Sequence, residues 1–310
     1  MLPTPPSFRS VTPGALPAAE LYQFLISAVA PRPIAFASTV SAAGVVNLSP
    51  FSFFNVMSAN PPILVFSPAN RPDNSEKDTL QNVREVPEVV INIAEYALVE
   101  QLSLASAEYP AGVNEFAKAG LTETPSDRVR PPRVGECPAA FECVVEQIIA
   151  LGEAAGHGNL VVCRVVQAHF REAILRTDGP GIDPRKFEAV SRLNADWYSR
   201  LTPASLFTVV RPNRRLGIGF DELPEYLRHS DLLTGNHLAR LANTEREALP
   251  TPAQVAEIKT EPLVAYLLHK HRADPAETSR QLTLLARQWL EEDKVAEAWR
   301  VLMLAQEPAL

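Results

Sequence analysis

The chain of 310 residues holds only three cysteines, 13 glycines and, counted along the sequence, six lysines. Each scarcity narrows what it can be. Cys137, Cys143 and Cys163 are odd in number and never form a C-x-x-C pair, so neither a disulfide framework nor a thiolate metal site is expected, and the thiols read as reduced strand residues of a cytoplasmic protein. No glycine run has the G-x-G-x-x-G, Walker or G-x-S-x-G spacing, which removes dinucleotide, P-loop and nucleophile-elbow sites. No apolar run approaches the roughly 20 residues that span a bilayer, and the proline-rich start lacks the basic and apolar segments of a signal peptide. A net charge of −7 without a basic stripe speaks against nucleic acid. Among six histidines only His269 and His271 are closely spaced, and on a helix two positions apart they point to different faces, so no metal site is expected.

The composition is that of an ordinary globular chain, 46% hydrophobic and 21% charged. Two regions emerge. Residues 1–212 are β-rich, with expected strands at Ile34–Val40, Ile63–Ser67, Val89–Ile93, Ala139–Ala150 and Leu160–Arg171. Short helices fit between them at Glu20–Val29, Asp78–Glu85, Ala97–Ala107 and Glu115–Ala119. Irregular strand spacing suits an antiparallel barrel better than a parallel doubly wound sheet. Residues 213–310 hold only helical periodicity, in six pieces, with Pro224, Pro250, Pro252, Pro262 and Pro275 at or near their starts. The last two pieces form a helical hairpin around an EEDK turn, similar to a single tetratricopeptide-type pair and short of a repeat array.

The most informative stretch is Pro31–Thr79, where two β-rich runs bracket a corner rich in hydroxyls and amides, followed by Lys77-Asp78-Thr79. Small side chains and free backbone N–H groups there let a flat polar ring and a phosphate approach. The series PRPI, ST, G, NLSPFSFFN, SANPP and KDT resembles the flavin reductase-like proteins of the flavoredoxin-like branch. The resemblance implies an α+β fold, an FMN-binding split β-barrel of antiparallel, Greek-key type, with the helical C-terminal region outside the minimal domain. It also implies an FMN phosphate on Lys77, Asp78 and Thr79, with the first helical turn adding N–H groups and the positive end of its dipole. An exposed lysine followed by an ordinary helix cap is the plain alternative.

By the same resemblance, Ser38 and Thr39 line the ribityl chain, and Asn47, Ser49, Ser52, Phe53 and Asn55 wrap the ring. Core packing is the rival reading for Phe51 and Phe54, and a turn-stabilising role for Ser49 and Ser52. Arg192, in RLNADWY, would bind phosphate or meet a carboxylate across a dimer interface, while Trp197 and Tyr198 would stack beside the flavin or seal that interface. His157 sits one residue from the position of a nicotinamide-contacting histidine in some relatives; as a plain loop residue it needs no such role.

The chemistry implied is carried by the flavin at N5, with no catalytic side chain: electrons pass from NADH or NADPH through FMN to free flavin or a partner protein. A homodimer with FMN near its interface is implied as well. Two other readings stay open: an electron-transfer module without its own NAD(P)H site, and C-terminal helices that dock a redox partner, cover the flavin mouth or extend the dimer contact.

Overall fold

The computed structural model describes residues 7–210, 212 and 216–306. The chain divides into two compact units, Met1–Phe207 and Thr208–Leu310. The first opens with helix α1 (Ala18–Ala28), followed by strands β1 (Arg32–Pro33), β2 (Ala35–Val40), β3 (Val46–Phe51), β4 (Phe54–Ala59) and β5 (Pro62–Phe66). Helix α2 (Asp78–Glu85), β6 (Glu88–Ile93), α3 (Val99–Leu104), α4 (Glu115–Ala119), β7 (Glu123–Thr124) and β8 (Arg133–Val134) come next. The long hairpin β9 (Ala139–Ala150) and β10 (Asn159–Phe170) precedes the short strands β11 (Val190–Arg192) and β12 (Tyr198–Arg200).

Seven strands pair in the order β3-β2-β6-β9-β10-β5-β4, every pairing antiparallel. β3 and β4 lie at opposite ends of that order, yet only Ser52 and Phe53 separate them in the chain. The three steps from Phe51 to Phe54 reach at most about 11 Å, so the sheet curls until its two edges almost meet. The edges do not pair with each other, and the expected split antiparallel barrel is the result.

All six residues of β2 are buried, because both faces of this strand carry core. Side chains alternate across a strand. Ile34 and Phe36 pack with Leu48, Leu102 and Phe116 on one face, whereas Ala35 and Ala37 pack with Phe51, Leu64 and Phe66 on the other. Small alanines on the second face leave room for α2, whose Leu80 and Val83 join that core. Two register shifts in the β9–β10 ladder, at Glu146 on β9 and at Val166 on β10, are bulges of the kind that bend a strand round a barrel. A smaller sheet, β1-β11-β12, brings Arg32 opposite Arg192.

The sequence expectation for residues 47–55 needs correction. The segment is not one polar corner but two strands with a two-residue joint. Asn, Ser and Pro are poor strand formers in isolation; pairing of Asn47 with Thr39 and of Ser49 with Ala37 overrides that preference. Ser49 therefore holds no turn.

The second unit contains α5 (Glu225–Arg228), α6 (Gly235–Ala242), α7 (Pro252–Glu257), α8 (Pro262–Lys270), α9 (Pro275–Glu291) and α10 (Val295–Leu304). Pro252, Pro262 and Pro275 each occupy the first helical turn, while the side chains of Thr251, Glu261 and Asp274 accept backbone N–H groups there. Leu241, Leu282, Leu290, Trp299 and Leu302 form its core. No helix among the described residues is long and apolar enough to cross a membrane.

Candidate functional site

At one end of the split, α2 begins without a side-chain cap: Lys77 is the N-cap residue and its side chain makes no capping hydrogen bond. Among the described residues no carboxylate pairs with the Lys77 ammonium. Asp78 is engaged by Arg71 at 3.3 Å. Thr79, almost fully buried, donates from Oγ1 to Asn47 Oδ1 at 2.7 Å. Thr39 Oγ1 lies 3.4 Å from the same oxygen and accepts from Asn82 Nδ2 at 3.1 Å. The Asn47 amide in turn donates from Nδ2 to Glu115 Oε1 at 3.0 Å, and Leu48 N donates to Glu115 Oε2 at 2.9 Å. Burial pushes the Glu115 carboxyl above the usual carboxylate range, against the pull of those donors. Three elements distant in sequence, β3, α2 and α4, are thus tied through buried polar side chains.

Ser38, beside Thr39, carries the one buried side-chain polar atom without a partner among the described residues, its Oγ. An orphaned hydroxyl of this kind is uncommon and points to a group that completes it.

At the other end lies the joint. Ser52 Oγ accepts from Arg32 Nε at 3.5 Å. The half-exposed Phe53 ring stands edge-on to Tyr22 at 6.3 Å and under the Arg32 guanidinium at 6.0 Å. Arg32 itself is buried and donates to Ile26 O, to Val29 O at 2.8 Å and to Leu193 O at 2.6 Å. Asn55 faces solvent, its Oδ1 accepting from Val56 N at 2.8 Å. Ser49 lies between the two ends. Along β3, Asn47 and Ser52 are five residues, or about 17 Å, apart, so a phosphate end and an aromatic end of one elongated group fit the strand.

Three further expected residues, Arg192, Trp197 and His157, have surroundings of their own, Arg192 as the ladder partner of Arg32. Arg192 stacks on Tyr198 at 4.5 Å and donates to Ala195 O. It lines an open cleft of about 380 Å³ with Tyr96, Asp196 and Arg200. No carboxylate of its own described chain pairs with it. Trp197 is largely exposed. His157 is half-buried in the β9–β10 loop, its Nδ1 at 2.8 Å from Ala154 O; its carbonyl accepts from Asn70 N at 2.9 Å, beside the loop that enters α2.

Sequence reading missed Arg32, Asn82 and Glu115. Asn82 had a signal, since it follows Thr79 by three positions and shares its helix face. Arg32 lay unremarked within the PRPI motif. Glu115 had none, being 68 positions from Asn47.

The residues present fit FMN: a free lysine and uncapped helix start for phosphate, a partnerless hydroxyl, and an aromatic beside the split. A curated protein of Halalkalibacterium halodurans, itself uncharacterized, is 38% identical over 204 residues, spanning 65% of this chain and 96% of its own. The crystal structure of nitrilotriacetate monooxygenase component B from Bacillus cereus superposes with a TM-score of 0.62 at 30% identity, covering 66% of this chain and all (100%) of the other. A Shewanella frigidimarina protein described as a flavin reductase with a split barrel domain has the same fold, with a TM-score of 0.55 at 22% identity over 64% of this chain and 96% of its own. The flavin reductase-like domain matches residues 27–183, half of the sequence. The chain belongs to the flavin reductase-like family.

Proposed function

We propose that this chain is an FMN-dependent oxidoreductase that moves electrons from NADH or NADPH to free flavin or to a partner protein. The observation that carries the reading is the uncapped, unneutralised start of α2 at Lys77, tied through Thr79 to Asn47 near one end of β3, with the half-exposed Phe53 ring just past the other end. When bound, FMN supplies the redox chemistry. The chain's part is to hold and orient it. Lys77 and the first N–H groups of α2 bind the phosphate. Ser38 gains a partner on the ribityl chain, and Phe53 bounds the ring. Asn47, Thr39 and Thr79, already bonded to one another, keep those groups in place. The Bacillus cereus relative is named component B of a monooxygenase, which supports export of electrons to a partner.

A homodimer accompanies this reading. The edge strand β4 leaves Val56 and Met57 exposed, and α1 leaves Phe24 and Leu25 exposed, apolar surface that a second copy would cover. Three free thiols support a cytoplasmic location.

Anaerobic stopped-flow mixing of the FMN-loaded protein with each pyridine nucleotide tests the reading. Rapid bleaching of the flavin bands is expected. Bound flavin that persists with both donors would instead mean a flavoredoxin-type electron-transfer module fed by another protein. Lys77→Ala should weaken FMN by roughly ten- to a hundredfold, the loss of one hydrogen bond to a charged group, while leaving riboflavin nearly unaffected.

A further inference from the structure

Glu115 is 6% exposed, yet no cation pairs with it among the described residues. A buried carboxylate without a counter-charge is unfavourable unless its oxygens are satisfied. Both are: one by Asn47 Nδ2 at 3.0 Å and the other by Leu48 N at 2.9 Å. Leu48 belongs to β3, an edge strand, so this N–H has no neighbouring strand to meet. Burial raises the carboxyl, with the nearby Asp78 charge adding a minor push the same way.

An acid does here what an amide does not. It offers acceptors only, which forces the Asn47 side chain to turn its NH2 toward α4 and its oxygen toward α2. That oxygen then accepts from Thr79 Oγ1 at 2.7 Å. Thr79 is the second residue of α2, and its own N–H is among those left open at the helix start. The chain Glu115–Asn47–Thr79 therefore fixes where the first turn of α2 stands against β3 and where its N–H groups aim.

We propose that Glu115 is a positioning residue which, through Asn47 and Thr79, sets the phosphate-binding end of the flavin site. The inference rests on the reading of FMN at this corner. It predicts discrimination rather than mere stability: FMN and riboflavin share the ring and ribityl chain and differ only in the phosphate, so a misaligned α2 penalises FMN alone.

The test titrates the full-length apo-protein with FMN and with riboflavin by flavin fluorescence, for the wild type, Glu115→Gln and Glu115→Asp. Far-UV circular dichroism and thermal unfolding check that each is folded. Gln places a donor against one of two donors, and Asp falls one methylene short of both. Either variant should lower the ratio of FMN to riboflavin affinity about tenfold, the effect of one misdirected polar contact. A smaller loss in Asp, which keeps two acceptors, would support the proposal further and covers the case in which Gln does not fold. An unchanged ratio, or equal loss for both flavins, overturns the positioning role while leaving the FMN reading intact. Failure of the wild type to bind FMN overturns that reading first, and the inference with it.

Discussion

Arg32 and Arg192 face each other as partners in the β1–β11 ladder, two cations where a cross-strand pair usually alternates in sign. Arg32 bears the closeness because its guanidinium is spent on carbonyls of α1 and of Leu193; burial, and to a lesser degree Arg192, hold its pKa below the usual arginine range. The side chain thus ties the end of α1, the Leu193 segment and the Ser52 joint together at one end of the split.

Replacing Arg32 by Met leaves those carbonyls without donors, and Tm should fall by roughly 5–10 °C. Lys, with one compact ammonium in place of a planar fork, should recover only part of the loss. A scanning-calorimetry shift under 1 °C for the Met variant would show that the three carbonyls find other partners.

Glu142 gives the first unit an acid-sensitive clamp. Its buried carboxylate accepts from Asp127 N at 2.8 Å, Arg128 N at 2.6 Å and His169 Nε2 at 2.6 Å. Burial works to raise this carboxyl, but the donors outweigh it and hold it below the ordinary value. A carboxyl lowered in the folded state stabilises the fold above its unfolded pKa and loses that contribution as pH falls through the folded value. Glu115, raised by burial, acts in the opposite sense, its contribution being lost as pH rises. Urea midpoints should therefore decline as pH drops below about 4.5, and the decline should flatten in Glu142→Gln. An equally steep decline in that variant would assign acid sensitivity elsewhere.

The thiols should be inert while the chain is folded. Burial pushes Cys143 up to about 12 and Cys163 well above its ordinary value, and it raises Cys137 as well. A thiol reagent at pH 8 should label none within minutes and all three in urea. Fast labelling of Cys143 or Cys163 in the native protein would mean that the β9–β10 hairpin opens.

In the second unit Trp299 Nε1 donates to Leu241 O at 3.3 Å and to Thr244 Oγ1 at 3.0 Å. Trp299→Phe removes that donor at a cost of about 1–2 kcal/mol, and Trp299→Ala, which opens the core, about 3–5 kcal/mol. Gly217→Ala should act at the same place, because its Cβ would stand 2.3 Å from Ala242 O. If calorimetry resolves a separate transition for this unit, these changes should move that transition.

Much of this architecture was legible in the sequence where the cause is local. The start of α2 at Asp78 follows from a Lys-Asp-Thr that suits a first turn, and Pro252, Pro262 and Pro275 mark helix starts because a proline there gives up no needed N–H. Long hairpin strands such as β9 announce themselves by dense β-branched and aromatic residues. β3 and β4 did not, since Asn47, Ser49 and Pro50 become strand only through partners on β2, and Asn55 and Ser58 only through partners on β5. The candidate site divides the same way. Its motif residues lie within one stretch and are visible, whereas the acid that holds Asn47 comes from a helix 68 positions further along the chain.

The joint of Ser52 and Phe53 sets a rule for how this fold can vary. Loops such as 152–158 can lengthen with little penalty, since closing a longer loop costs entropy only slowly. An insertion at the joint behaves differently. Side chains alternate along a strand, so a one-residue slip in β4 would turn its inward residues outward, and an inserted residue left unpaired would push the two barrel edges apart. Chain length at that point thus fixes the width of the split between β3 and β4. Divergence in what the split admits is left to the size and polarity of the two side chains that bridge it.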